Sequence, residues 1–143
     1  MTKIDFHSSV TDKMSHACRL VRKARINSAD ARVVILLKDK AQIAALDRAL
    51  WTFSEQDFVP HAAADDALAA QSAVILTDSD TCELPHHDIL INLSDAMPAH
   101  FAQFERVFEI ISPDTAEAAA GRERYAYYRE RGYQLAHTVM SQA

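Results

Sequence analysis

Arg32-Val33-Val34-Ile35-Leu36-Leu37 is the stretch that decides the fold. After its opening arginine the run is apolar without a break and rich in β-branched side chains. A strand with one face in water alternates apolar and polar residues, whereas a strand covered on both faces reads as a continuous apolar run. The stretch therefore predicts a buried strand with helices above and below it. The flanking sequence agrees. Upstream, Thr11-Asp12 supplies a cap for a helix running to about Ile26, with Met14, Cys18 and Val21 on its inward stripe. Downstream, Asp39 caps a second helix that carries Ile43, Leu46, Leu50 and Trp51.

Further out, residues 3–7 read as a strand, as do 72–77, 88–94 and 107–112. Residues 99–106, with Phe101 and Phe104, read as a helix, and one or two helices are expected from about residue 115 to the end. Residues 58–61 form a short extended piece that Pro60 confines to an edge, an end or a loop. The alanine-rich segment 62–70 is expected to be a short helix or a loop. Strands alternating with helices imply one α/β domain over 1–143, with a parallel or mostly parallel sheet between helical layers.

Composition removes several function classes. Only two glycines occur, Gly121 and Gly132. Neither the three-glycine dinucleotide fingerprint nor a P-loop can be written with them. Val74-Ile75-Leu76-Thr77-Asp78 looks like the strand and acid of a nucleotide hydrolase, but without a phosphate loop it reads as a buried strand and turn. A formal charge of −5 argues against a protein that lives mainly on nucleic-acid phosphates. Two local basic patches remain: Arg19, Arg22, Lys23 and Arg25, and a second one near the C-terminus.

No apolar run approaches the roughly 20 residues of a membrane span, and Met1-Thr2-Lys3-Ile4-Asp5-Phe6 is not followed by a signal-peptide core. With Cys18 and Cys82 far apart, a reduced cytoplasmic setting is expected.

Catalytic chemistry finds no footing. Cys18 lies on an apolar stripe, and Cys82 sits beside Glu83, which disfavours a thiolate. His86-His87-Asp88, with His61 or His100, is the best metal candidate, but adjacent residues of an extended chain point to opposite sides and no metal-type spacing supports it. Asp65-Asp66 and Asp78/Asp80 read as solvated loop acids, and no Gly-x-Ser-x-Gly elbow exists. No catalytic residue, metal site or cofactor is expected.

The second basic patch, Arg122-Glu123-Arg124-Tyr125-Ala126-Tyr127-Tyr128-Arg129-Glu130-Arg131, is more informative. At 100° per residue Ala118, Arg122, Tyr125, Ala126 and Arg129 share one helical face. Guanidinium forks suit carboxylates and phosphates, and tyrosine adds contact area with a polar tip. Such a face can receive something acidic that also carries an apolar group; its plain alternative is a solvated flank of Glu–Arg pairs.

Asp47-Arg48-Ala49-Leu50-Trp51, Phe58-Val59-Pro60-His61, Asp88-Ile89-Leu90-Ile91-Asn92-Leu93, Phe104-Glu105-Arg106-Val107 and Arg122-Glu123-Arg124-Tyr125 with Gly132 follow one another in an order that resembles the chi subunit of bacterial DNA polymerase III. The resemblance implies a Rossmann-like domain without a nucleotide-binding loop or catalytic function. It further implies an adaptor that pairs with the psi subunit, is tethered through psi to the clamp loader, and binds the acidic C-terminal tail of single-stranded-DNA-binding protein, which ends in Pro-Phe. Contact with DNA would then be indirect.

Carried onto this chain, the resemblance makes Trp51, Ile111, Arg122 and Tyr125 the tail pocket. Arg122 would meet carboxylates and the other three would wall the apolar part. Ala118 and Ala126 stand where some members carry lysine, and Arg129 on the same face compensates. Phe58, Val59, Pro60 and His61 would face psi. The alternative is a direct single-stranded nucleic-acid-binding module that uses the same Arg/Tyr helix.

Overall fold

The computed structural model describes residues 2–28, 30–53, 61–63, 73–79, 84, 86–94 and 96–140, with the backbone alone for 51–53 and 61–63. In chain order the elements are β1 (Lys3–Ser8), α1 (Lys13–Asn27), β2 (Val33–Leu36), α2 (Lys40–Phe53), β3 (His61–Ala63), β4 (Val74–Thr77), β5 (Ile89–Asn92), β6 (Arg106–Ile110), α3 (Thr115–Glu130) and β7 (Gln134–Val139). The strands form one sheet in the order β3-β4-β2-β5-β6-β1-β7, and every described pair is parallel. The α/β class read from the sequence is the class observed.

β2 lies inside the sheet, and all four of its residues are buried. Because side chains alternate across a strand, Val33 and Ile35 face one helical layer and Val34 and Leu36 the other. On the first face Ala17, Cys18 and Val21 of α1 and Leu46 and Leu50 of α2 pack with Val74, Leu76, Ile91 and Ile110. On the second face Ile4, Phe6, Ile75, Leu90 and Val107 are covered by Phe101, Phe104, Ile111 and Tyr128 of α3. Both expected caps are present: the Ser15 N–H donates to Asp12 Oδ1 at 3.1 Å and the Gln42 N–H to Asp39 Oδ1 at 2.9 Å.

Three expectations need correction. Residues 99–106 do not form a helix; a single tight turn, Phe101–Gln103, stands there. The three-residue spacing of Phe101 and Phe104 reflects two buried plugs rather than a helical stripe, and the ladder takes over at Arg106, which pairs with both Lys3 and Ile89. Ala62 and Ala63 belong to β3, which completes the edge beyond β4, while the rest of 62–70 lies outside the described residues. After α3 the described residues form a strand rather than a further helix. Gly132, at φ 79°, stops α3 and turns the chain into β7 beside β1.

A histidine pair joins β1 to α1. His7 Nδ1 and His16 Nε2 stand 2.8 Å apart, one donating and the other accepting. Burial depresses both groups, and His16 falls from the ordinary 6.5 to about 4. Below 6.5 the unfolded chain therefore binds a proton at His16 that the folded chain refuses, so stability falls as pH falls through this window, by up to about 3 kcal/mol. Urea unfolding at neutral and mildly acidic pH measures the drop, and His16→Gln is expected to flatten it. A wild-type slope that the substitution leaves intact would assign the effect elsewhere.

Candidate functional site

α3 is fixed to the sheet from below and at its start. Asp114 caps it, accepting from the Glu117 N–H at 3.0 Å. Glu117 in turn accepts from Lys13 Nζ at 2.7 Å and from the Ser112 N–H at 3.1 Å. Lys13 also donates to the Leu93 carbonyl at 2.8 Å. Beneath the middle of the helix, fully buried Glu109 of β6 accepts from Asn92 Nδ2 at 2.8 Å, Arg124 Nε at 3.1 Å and Tyr128 Oη at 2.7 Å. Burial pushes the Glu109 carboxyl upward, against the pull of the Arg124 guanidinium and the three donated hydrogen bonds.

Held in this way, α3 turns Ala118, Gly121, Arg122 and Tyr125 toward the carboxyl ends of β1 and β6 and leaves a groove of about 650 Å³. Phe6, Ile111 and Pro113 line the apolar part, and Ser8, Ser9, Ser112 and His137 add polar edges. Tyr125 packs edge-on against Phe6, with ring centroids 5.0 Å apart. Ser9 sits in the left-handed region at φ 59°, which swings the chain out of β1 so that the Val10 N–H reaches the Ile111 carbonyl at 3.0 Å. His137 Nε2 and Ser8 Oγ are 2.8 Å apart across the mouth. Arg122 is exposed and is the cation among the lining residues. An apolar slot with one guanidinium at its rim suits a ligand that carries a ring beside a carboxylate.

Three sequence-predicted residues, Ile111, Arg122 and Tyr125, meet in this groove. Ala118 also lines it, whereas Ala126 and Arg129 are exposed and do not. Gly121 was not anticipated, yet it sets the depth of the groove. A Cβ built there would lie 2.8 Å from Ile111 Cδ1 and 3.2 Å from Cγ1. Gly121→Val is therefore expected to push Ile111 into the groove and to cost about 1–3 kcal/mol, read as a lower urea midpoint with loss of ligand binding.

The profile of the family described as DNA polymerase III chi subunit, HolC, matches residues 1–136. The chain belongs to the DNA polymerase III chi subunit family. Its similar proteins include the DNA polymerase III subunit chi of Pseudomonas aeruginosa, 33% identical over 139 residues and covering 94% of each chain. The same subunit from Haemophilus influenzae is 29% identical, over 83% of this chain and 81% of its own. That of Escherichia coli is 30% identical, over 73% and 71%. Membership of the chi family gives the chain an accessory role in replication.

Within this chi-family fold the backbone of Trp51 stands apart from the other three. It belongs to the last turn of α2, which packs against β3, β4 and α1, on the sheet face opposite α3 and near the other edge. Its side chain, together with Phe58, Val59 and Pro60, lies outside the described residues, and His61 opens β3.

Burial raises the Cys18 thiol to about 11, which makes it a poor nucleophile at neutral pH. Cys82 lies outside the described residues. Among the described residues no group of three or more His, Cys, Asp or Glu side chains converges, and no helix is long and apolar enough to cross a membrane.

Proposed function

We propose that this chain is a non-catalytic, cytoplasmic replication adaptor that grips the acidic C-terminal tail of single-stranded-DNA-binding protein and is tethered through psi to the clamp loader. The observation that carries the reading is the convergence of Ile111, Arg122 and Tyr125, separated in sequence, on one groove with an apolar floor and a cationic rim. A terminal phenylalanine fits the slot between Ile111, Tyr125 and Gly121, and Arg122 answers a carboxylate. The grip need not be tight, because a tethered assembly facing many tails on one coated strand binds by effective concentration.

Trp51 and Phe58-Val59-Pro60-His61 are assigned to the psi-facing surface. Trp51 stands in the last turn of α2, seven residues before Phe58, and α2 contacts β3 and β4, at the end of the sheet away from β7 and the groove. Two partners could then be held at once, one at each end of the sheet.

Titration with a fluorescent peptide carrying the tail sequence tests the tail reading. Saturable binding is expected, weakened by added salt. Removal of the final phenylalanine should weaken it by about 1.5–3 kcal/mol, the worth of burying one such side chain. Bare single-stranded DNA, the ligand of the alternative module, is expected to show no comparable affinity. Tight binding to DNA with none to the peptide would reverse the assignment.

A further inference from the structure

The groove opens beside a strand edge to which no further strand is paired among the described residues. Among the described residues β7 pairs with β1 alone and ends the sheet. Its register sets Val139 opposite Ser8, and the Met140 N–H bonds the Ser8 carbonyl at 2.9 Å. Backbone groups alternate sides along a strand, so Thr138 and Met140 turn inward while the N–H and C=O of Leu135, His137 and Val139 turn outward.

Gln134-Leu135-Ala136-His137-Thr138-Val139 contains no proline, lysine, arginine or acid, the residues that commonly close an edge to addition. Val139 is 65% exposed. His137 also lines the groove, so groove and edge are one continuous surface.

We infer that an acidic peptide whose C-terminus fills the groove lays its upstream residues along β7 as a further strand. This rests on the tail reading above and adds the mode of recognition. The direction follows from the topology. The groove lies at the carboxyl ends of β1 and β6, so a peptide that ends there and runs along β7 points the same way as β7 and continues an all-parallel sheet. Charge favours this occupant over a second copy of the chain. The edge offers no carboxylate to repel the peptide's acids, and Arg122 and Arg129 stand on the α3 face that shares Tyr125 with the groove. Main-chain bonding also tolerates variation in the tail upstream of its end, because edge addition reads backbone rather than side chains.

The test compares a peptide of the last four or so tail residues with one of about ten, long enough to span the roughly 20 Å of β7. Each is titrated against the wild-type chain and Val139→Pro, which deletes an outward N–H without touching the ladder to β1. Two or three edge bonds should make the long peptide bind the wild type roughly tenfold tighter than the short one. Val139→Pro should lose most of that advantage while binding the short peptide normally, which also reports that it is folded. Methylating alternate backbone nitrogens of the long peptide should have the same effect.

Equal affinities for the two peptides, or an advantage untouched by Val139→Pro and by methylation, would overturn strand addition and leave the groove reading standing. Failure of both peptides to bind the wild type would overturn the groove reading and this one with it. A wild-type dimer that Val139→Pro makes monomeric would assign the edge to a second copy and overturn the proposal.

Discussion

Glu109→Ala is expected to lower the unfolding free energy by about 3–5 kcal/mol, the loss typical of breaking a buried ion pair from one side. Glu109 is fully buried and Arg124 is 4% exposed, so alanine would take the carboxylate away from a buried guanidinium and remove the acceptor shared with Asn92 and Tyr128. A cavity under α3 would add to the loss. Glu109→Gln keeps the shape but offers Arg124 no charge, and its amide NH₂ meets groups that are themselves donors, so an intermediate loss is expected. Tyr128→Phe, which deletes one hydrogen bond, is expected to cost about 1 kcal/mol. Urea unfolding reads all three, and the order Ala, Gln, Phe in falling severity is the signature of the network. A midpoint for Glu109→Ala equal to that of the wild type would mean that the network does not hold α3.

The second large effect is on binding. Arg122→Glu is expected to abolish measurable affinity for the acidic tail while leaving the fold intact, because Arg122 is exposed and supplies the charge among the groove-lining residues. A charge-assisted hydrogen bond is worth about 1.5–3 kcal/mol, and the reversed charge adds repulsion to that loss. Together these correspond to about a hundredfold or more in Kd. Arg122→Ala should lose only the attractive part and flatten the salt dependence. Arg129→Ala, outside the lining, should have a smaller effect that grows at low salt. If Arg122→Glu binds the tail as the wild type does, the guanidinium is not the carboxylate partner and the groove holds something else.

What could be read from the sequence divides along physical lines. The run around Val34 gave the architecture because burial on both faces leaves no freedom for polar residues, so pattern and environment coincide. β7 escaped because an edge strand on one neighbour buries little, and Gln134 to Val139 carries no clean alternation; the one signal was Gly132, a residue suited to leaving a helix at positive φ. The tight turn at Phe101 reads as a helix in the sequence because a three-residue spacing of aromatics serves a plug as well as a stripe.

The helical face bearing Arg122 and Tyr125 could be found by counting at 100° per residue. The groove could not, since Phe6, Ser9, Ile111 and His137 come from three other parts of the chain. Gly121 stands out in the sequence by its rarity, and a lone glycine one turn before Tyr125 is the signal that a neighbour comes close. Trp51 belongs to the expected pocket by resemblance alone, and the layer order puts α2, which carries it, on the face of the sheet opposite α3.

The most direct measurement is the map of amide shifts when unlabelled tail peptide is added to the ¹⁵N-labelled chain. The account predicts perturbations that saturate together at Ser9, Ile111, Gly121, Arg122, Tyr125 and His137, with α2 and β4 silent. Shifts confined to α2 and the β3–β4 end of the sheet, or a quiet groove under saturating peptide, would contradict it.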